Sequence, residues 1–470
     1  MRSLKFLITS ALIALPALAF AQEPAPMRLS LSQGGVQIMS KDTSRAWEQA
    51  GVNTPIGVGD RLWLPEGARA EIQIMGGVYV RAEGDSSLDV LRSSADSVQF
   101  YTEGGHIYAN NRHGGVNVVQ IDTPLTSVRA YDGSAFLLDA DDKATVVQVI
   151  KGDVYAENMQ GQTRVAAGNA LTINEDGSAE IAPIGEPDDW DRWNMERDKT
   201  VSAWGESTRY LPDGLQEYSS DFDNHGVWSY DNGYGYVWFP TVAAGWAPYR
   251  AGMWQWSAGN YVWVSTEPWG WAPYHYGRWL FITGRGWCWV PPGPNDVFWG
   301  PGYVGWVRTG ALIGWVPLAP GEIYYGYCKC GPYSANIMHI DPKTVVVRRF
   351  ANAEFPHGMT FVRRDTLGAR ERHFVTPSEN PLIAGRFDFR PPRMEPGSGA
   401  VIGREAQFGQ RPPERIMNGV RHERLMRERR LVREPGQSVF MERPRELKLH
   451  RIRRPKAVRR RSYEEKRQRP

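Results

Sequence analysis

Only three cysteines occur in the 470 residues, and the short motifs that announce catalysis are missing. There is no G-x-S-x-G, no H-E-x-x-H, no glycine-rich phosphate loop ahead of a helix and no Cys–His pair in a familiar context. Hydrolase, metalloprotease and nucleotide chemistry therefore lack their usual residues. Beyond residue 21 no apolar run approaches the ~20 residues that cross a bilayer as a helix. Charge is scarce in one long stretch, where residues 228–315 carry only seven charged side chains. A segment so short of ionic groups must fold its apolar surface inward or offer it to a partner.

That stretch is rich in rings instead, holding 14 of the 19 tryptophans and eight tyrosines. A 25-residue unit is written twice within it, YVWFPTVAAGWAPYRAGMWQWSAGN at 236–260 and YVWVSTEPWGWAPYHYGRWLFITGR at 261–285, and a degenerate third copy starts at Trp287. Ring pairs at i and i+2, such as Trp254/Trp256 and Trp269/Trp271, share one face of an extended strand, while recurrent Gly and Pro deny a helix room. The expectation is a Trp-rich β-meander repeat module whose copies stack to cover their apolar faces. Two uses of the rings stay open: most as core, or a subset as an exposed platform for sugar rings or another protein. The candidate ligand-binding residues are Tyr249, Trp254, Tyr274, His275, Tyr276 and Trp279, of which Tyr249, Tyr274, His275 and Tyr276 adjoin turns.

The chain opens with Arg2 and Lys5, an apolar run from Phe6 to Phe20, and Ala19-Phe20-Ala21 before Gln22. This pattern predicts a secretory signal peptide cleaved near Ala21, no lipid-bearing Cys behind it, and a periplasmic or secreted protein without a transmembrane segment after cleavage.

From Met27 to about Pro183 the pattern is β throughout. Alternating runs such as Arg69–Met75, Val118–Asp122 and Ala144–Ile150 are separated by Gly, Asp and Asn turns, which predicts a jelly-roll or sandwich-like domain. The order Gly59-Asp60-Arg-Leu-Trp-Leu, Gly67-Ala-Arg-Ala-Glu-Ile, Gly104-Gly-His-Ile-Tyr-Ala, Ile121-Asp-Thr-Pro124 and Val146-Val-Gln-Val-Ile-Lys-Gly-Asp-Val154 resembles the periplasmic FecR-type domain. That family is named for a ferric-citrate transport regulator. The resemblance implies a β fold and, for those regulators, a relay from an outer-membrane receptor to a sigma factor through one membrane helix and a cytoplasmic segment. Here a leader stands in place of both. The Trp-Pro module is similar to a bacterial family of unknown function often found behind such domains. Within the β domain, Asp122-Thr-Pro-Leu-Thr126 and His106 read as turn and strand residues rather than a catalytic set.

Between the two domains, 184–218 changes period. Pro187, Asp188 and Asp189 suit a helix start, and Trp190, Trp193, Val201 and Trp204 fall near one face, predicting a connector helix of four or five turns with its rings against a neighbouring domain. Aromatic repeats are placed at 219–349. Residues 350–470 are a basic, largely disordered tail by composition, with 32 Lys/Arg against 16 Asp/Glu over 341–470 and a transient helix near 413–433. The rest of the chain is acidic, since the whole carries only +3. Cys288, Cys328 and Cys330 are the disulfide candidates: a bridge from Cys288 to one of the other two, a Cys328–Cys330 bridge, a metal site with His275 or His339, and a free thiol all remain open.

The expected function is non-enzymatic, an exported envelope protein that binds or scaffolds through an aromatic surface and a basic tail. Its partners would be envelope glycan or other envelope proteins, with anionic lipid or acidic polymer on the tail, and no nucleic acid, metal or cofactor. The alternative is a periplasmic signalling accessory related to receptor-to-sigma-factor regulation. A second alternative is a glycan-active enzyme using Glu267, Asp296 or Glu322.

Overall fold

Between residues 27 and 183 the chain forms eighteen strands that build two facing sheets. The computed structural model describes residues 26–368 apart from 43–45, 113, 115, 203–204, 329 and 342–348, and beyond them 373–377, 382, 388–393, 412–417, 429, 431, 437–440 and 446–451. The signal peptide expected at 1–21 lies outside the described residues. Among the described residues no helix is long and apolar enough to cross a membrane.

The chain hops between the sheets, usually two strands at a time, so both sheets grow in the same direction along the sequence. Alternation decides which side chain goes where. In Ser134–Ala140, Phe136 and Leu138 enter the core between the sheets, while Ala135 and Leu137 face outward under the connector helix. One aliphatic core joins both sheets, with Leu29, Ile72 and Ile107 from one and Val90, Phe100 and Ile121 from the other. This is the mainly β, two-sheet class of architecture expected. Among the strands of residues 27–183, pairing is antiparallel except for Ser97–Tyr101 beside Val118–Asp122.

The connector helix is Asp189–Ser202, close to the length expected. Asp188 starts it, its carboxylate accepting the Asp191 N–H at 2.9 Å. Its face carries Trp190 and Trp193, stacked with centroids 5.1 Å apart, onto Tyr108, Ala135 and Leu137 of the sandwich. Beneath it Glu71 and Arg81, both 0 % exposed, pair at 2.7 Å, and Arg197 of the helix reaches Glu71 at 2.7 Å.

Beyond short helical turns over 206–223, the aromatic module consists of four β-hairpins. Each has a tryptophan facing a tryptophan across the strands: Trp228 and Trp238, Trp254 and Trp263, Trp279 and Trp289, Trp306 and Trp315. These pairs fill a second core, and seven of the eight rings are buried. The first two hairpins begin on a glycine, Gly226 and Gly252, and Gly277 immediately precedes the third, each lying under the next strand's tryptophan; a Cβ on Gly277 would come within 2.8 Å of the Trp289 indole nitrogen and 2.4 Å of the Val290 carbonyl oxygen. The module runs past residue 349, because Phe350, Phe361, Val362 and Leu367 complete its cores.

Most of the tail expected to be disordered lies outside the described residues. The described pieces include a short helix, Glu414–Met417, inside the region expected to be transiently helical. Others pack on the far end of the sandwich. Leu449–Arg451 pairs in parallel with Ala179–Pro183, Leu447 joins the sandwich core, and its N–H reaches the Gln162 carbonyl at 2.9 Å. Glu157 accepts from Ser438 and, at 3.0 Å, from the Val439 N–H. Arg429 donates to the Thr123, Pro124 and Thr126 carbonyls. These contacts add hydrogen bonds and a further strand to the end of the two-sheet stack.

Candidate functional site

All six residues singled out for ligand contact are buried: Tyr249, Trp254, Tyr274, His275, Tyr276 and Trp279. The Tyr249 hydroxyl donates to the Tyr274 carbonyl at 2.9 Å and accepts from the Tyr303 N–H at 2.9 Å, fixing three segments at one point. Trp254 packs on Trp306 with centroids 4.7 Å apart. His275 lies between Trp271 and Trp299, its Nδ1 2.7 Å from the Gly300 carbonyl, and burial pushes its pKa down to about 4. The Tyr276 carbonyl accepts from Trp289 and the Trp279 carbonyl from Asn352, at 2.9 and 2.8 Å. Adjacency to a turn therefore does not expose these rings, because the turns themselves fold into the second core.

The open rings are elsewhere. Tyr230 and Tyr236 pair across the first hairpin two residues beyond Trp228 and Trp238, on the same face. There the face runs past the end of the core, leaving Tyr230 61 % and Tyr236 47 % exposed. Tyr210 closes a three-ring rim, 4.5 Å from Tyr236, which is 5.4 Å from Tyr230. A hydroxyl at the ring tip suits such a half-wet place. The sequence signal was tyrosine at both members of a cross-strand pair.

Of the carboxylates considered for glycan chemistry, Glu267 accepts from Trp246 at 2.6 Å, Tyr274 at 2.5 Å and Ser265 at 3.1 Å, and burial raises its pKa against those donors. Glu322 accepts the Ala319 and Ala351 N–H groups at 2.8 Å each. Asp296 sits in a turn closed by its own N–H to the Gly293 carbonyl. The three do not share partners. Among the described residues no cluster of three or more His, Cys, Asp or Glu groups converges on a metal-sized site.

The cysteines pair within the C-x-C, Cys328 to Cys330, with Cα atoms 5.5 Å apart. The bridge from Cys288 does not form. Cys288 is buried with Val237 and Val290 in a separate small cluster, and burial pushes its thiol up to about 12.

Where the two domains meet, the joint is polar and closely made. Arg28 of the first strand donates to Gln73, Asn53 and Asp221 at 2.8, 2.8 and 2.6 Å, and lies over the Tyr218 and Trp271 rings. Asn53, in a left-handed turn at φ 65°, donates to the Glu267 carbonyl at 2.8 Å. Glu217 accepts the Gly76 and Gly77 N–H groups at 3.1 and 2.6 Å, and burial pushes its carboxyl up to about 7.

Residues 60–155, the middle of the sandwich, match the model of the FecR protein family. These residues are a FecR domain. Residues 219–322, which hold all four hairpins, match a family of unknown function, DUF6600. The FecR domain is flanked by further strands of the same sandwich on both sides, from Met27 and to Pro183. No curated protein matches the chain. Among solved structures, two crystal structures of a candidate anti-sigma factor from Parabacteroides distasonis ATCC 8503, at 1.65 and 2.50 Å, are similar at 17 % identity and a TM-score of 0.24. That match spans 26 % of this chain and 59 % of the other. At that score the likeness does not extend to the arrangement of the whole fold.

Proposed function

We propose that this is a non-catalytic periplasmic signalling accessory of the FecR type, in which the FecR domain and the DUF6600 module work as one body. The observation that carries this reading is the FecR match over residues 60–155. The joint supports the second half of it, since Arg28, Asn53 and Glu217 tie strands of the sandwich to the segment around Tyr218 and to the turn at Glu267. A partner held on one domain would then be presented in a fixed orientation to whatever meets the other. The test is a chromosomal deletion, read through reporters fused to neighbouring sigma-factor-dependent promoters under changing envelope conditions. A response altered by deletion and restored by wild type is expected; reporters indifferent to the deletion in every condition tried sink the signalling role. Release of reducing ends from purified cell-wall or capsular glycan by the protein would overturn the non-catalytic half.

A second reading, envelope scaffolding through an aromatic surface, is favoured by the exposed rim of Tyr210, Tyr230 and Tyr236. It predicts that Tyr230→Ser with Tyr236→Ser abolishes retention on envelope glycan or protein while the fold survives.

A further inference from the structure

A disulfide that staples a fold closes a long loop, whereas Cys328–Cys330 joins residues only two apart in the chain. So short a bridge removes little freedom from the unfolded chain and contributes little to stability. The segment is anchored without it. Tyr324–Gly326 pairs in parallel with Ser334–Asn336, and on either side the Tyr324 N–H donates to the Tyr333 carbonyl and the Ile337 N–H to the Gly326 carbonyl, each at 2.9 Å. Asn336 donates to the Tyr327 carbonyl at 3.1 Å, and the Tyr303 hydroxyl lies 3.2 Å from the Cys330 carbonyl. These bonds keep the two cysteines side by side whether or not their sulfurs are joined.

The two sulfurs are not equivalent. Cys330 is buried with Tyr303, Tyr324 and Phe350, whereas Cys328 is only half-buried at the edge of that cluster. Solvent therefore reaches the bridge from the Cys328 side. Exposed apolar side chains adjoin it. Phe298 lies against Gly331, the residue after Cys330, and Tyr333 follows two positions on. Met338 shares Arg393 with Tyr327, the residue before Cys328.

We propose that Cys328–Cys330 is a thiol–disulfide exchange site, passing electrons reversibly to and from the dithiol and disulfide forms of a partner protein. A thiolate of the partner attacks the Cys328 sulfur. The S–S bond breaks, its electron pair passes to Cys330, and Cys330 takes up a proton, because burial disfavours the thiolate. The partner's second thiolate then attacks the partner sulfur of the mixed disulfide, and Cys328 leaves and is protonated in turn. Two electrons and two protons have moved from the partner's thiols to this chain, and the partner is left with a disulfide. Bridges that solvent reaches are the exchangeable ones, and Phe298, Tyr333 and Met338 offer the partner an apolar rest while the sulfurs align. The site goes beyond the signalling role and does not depend on it.

The experiment incubates the folded full chain with glutathione at mixed reduced-to-oxidised ratios. The reaction is quenched with acid, alkylated and digested with trypsin, which cuts between the two cysteines at Lys329. Thiols are expected on Cys328 and Cys330, with glutathione trapped on Cys328 in preference to Cys330 and the bridge restored by oxidised glutathione. Cys288, buried with its thiol pushed up to about 12, is the internal control and should stay unlabelled. Near-UV circular dichroism should not change on reduction. In single variants, Cys328 of Cys330→Ser should take up glutathione at least about ten-fold faster than Cys330 of Cys328→Ser. A bridge that opens only in denaturant, a near-UV signal that collapses on reduction, or equal reactivity of the two sulfurs overturns the proposal. Should a serine variant depart from the wild-type fold, trapping on wild type decides, since it needs no substitution.

Discussion

Enclosing the His275 imidazole between Trp271 and Trp299 makes the aromatic core sensitive to acid. Its pKa falls to about 4 from the ordinary 6.5 because burial disfavours the cation. The folded state therefore binds fewer protons than the unfolded chain between those values. Stability is full above about pH 6.5 and drains away towards pH 4, by up to about 3 kcal/mol for this one group. Glu267 acts in the opposite sense, since its raised pKa makes its contribution fade as pH rises. Guanidinium denaturation at pH 7.5 and 4.5 separates the two. The expectation is that His275→Gln flattens the acid limb; an unchanged acid limb in the variant would show that His275 is not the group responsible. At this scale the sequence identified the right ring-rich segment and misplaced its surface. Spacing at i and i+2 shows that Tyr236 and Trp238 share a face, but the length of the core beneath that face decides which of them meets water. Likewise nothing in the spacing of three cysteines reveals that Cys288 points into its own cluster, away from Cys328 and Cys330.

The element that repeats is the hairpin with a facing tryptophan pair, which the written repeat cuts in half. Copy one starts on the second strand of the first hairpin and ends at the turn of the second, so the sequence shows the period but not the unit. The fourth hairpin was legible only as the trailing end of a degenerate third copy, because little beyond its tryptophan pair, Trp306 and Trp315, survives in register. The sandwich strands were far easier to read, since alternation against a single aliphatic core leaves a plain period of two. The hairpin geometry makes a definite claim about Gly277, whose φ of 62° and closeness to Trp289 and Val290 leave no room for a side chain. Gly277→Ala is expected to cost about 2–3 kcal/mol through overpacking and left-handed strain, measured by chemical denaturation. Gly284→Ala, in a hairpin turn where a Cβ would meet nothing within 4 Å, keeps the left-handed strain at φ 81° without the clash and should cost less. Equal losses in both would rule out the close approach as the cause.

Over the whole molecule, the last described segments complete the first domain. Arg429, Ser438, Val439, Leu447 and Leu449–Arg451 cover the end where both sheets would otherwise stop. Composition could not show this, because a basic, proline-broken tail reads as solvated until its contacts with Glu157, Thr123 and Thr126 are seen. A chain ending at residue 411 is expected to leave the strand Ala179–Pro183 as an open edge and to self-associate through it, visible as a shift to higher mass in light scattering. A monodisperse truncated protein with unchanged stability would contradict that. Synthesis runs from the other end, however. The sandwich emerges from the ribosome long before the residues that seal it, so its edge must wait, unsealed, while the aromatic module is made. A stop codon late in the reading frame should therefore present as an aggregation defect in a domain whose own codons are intact.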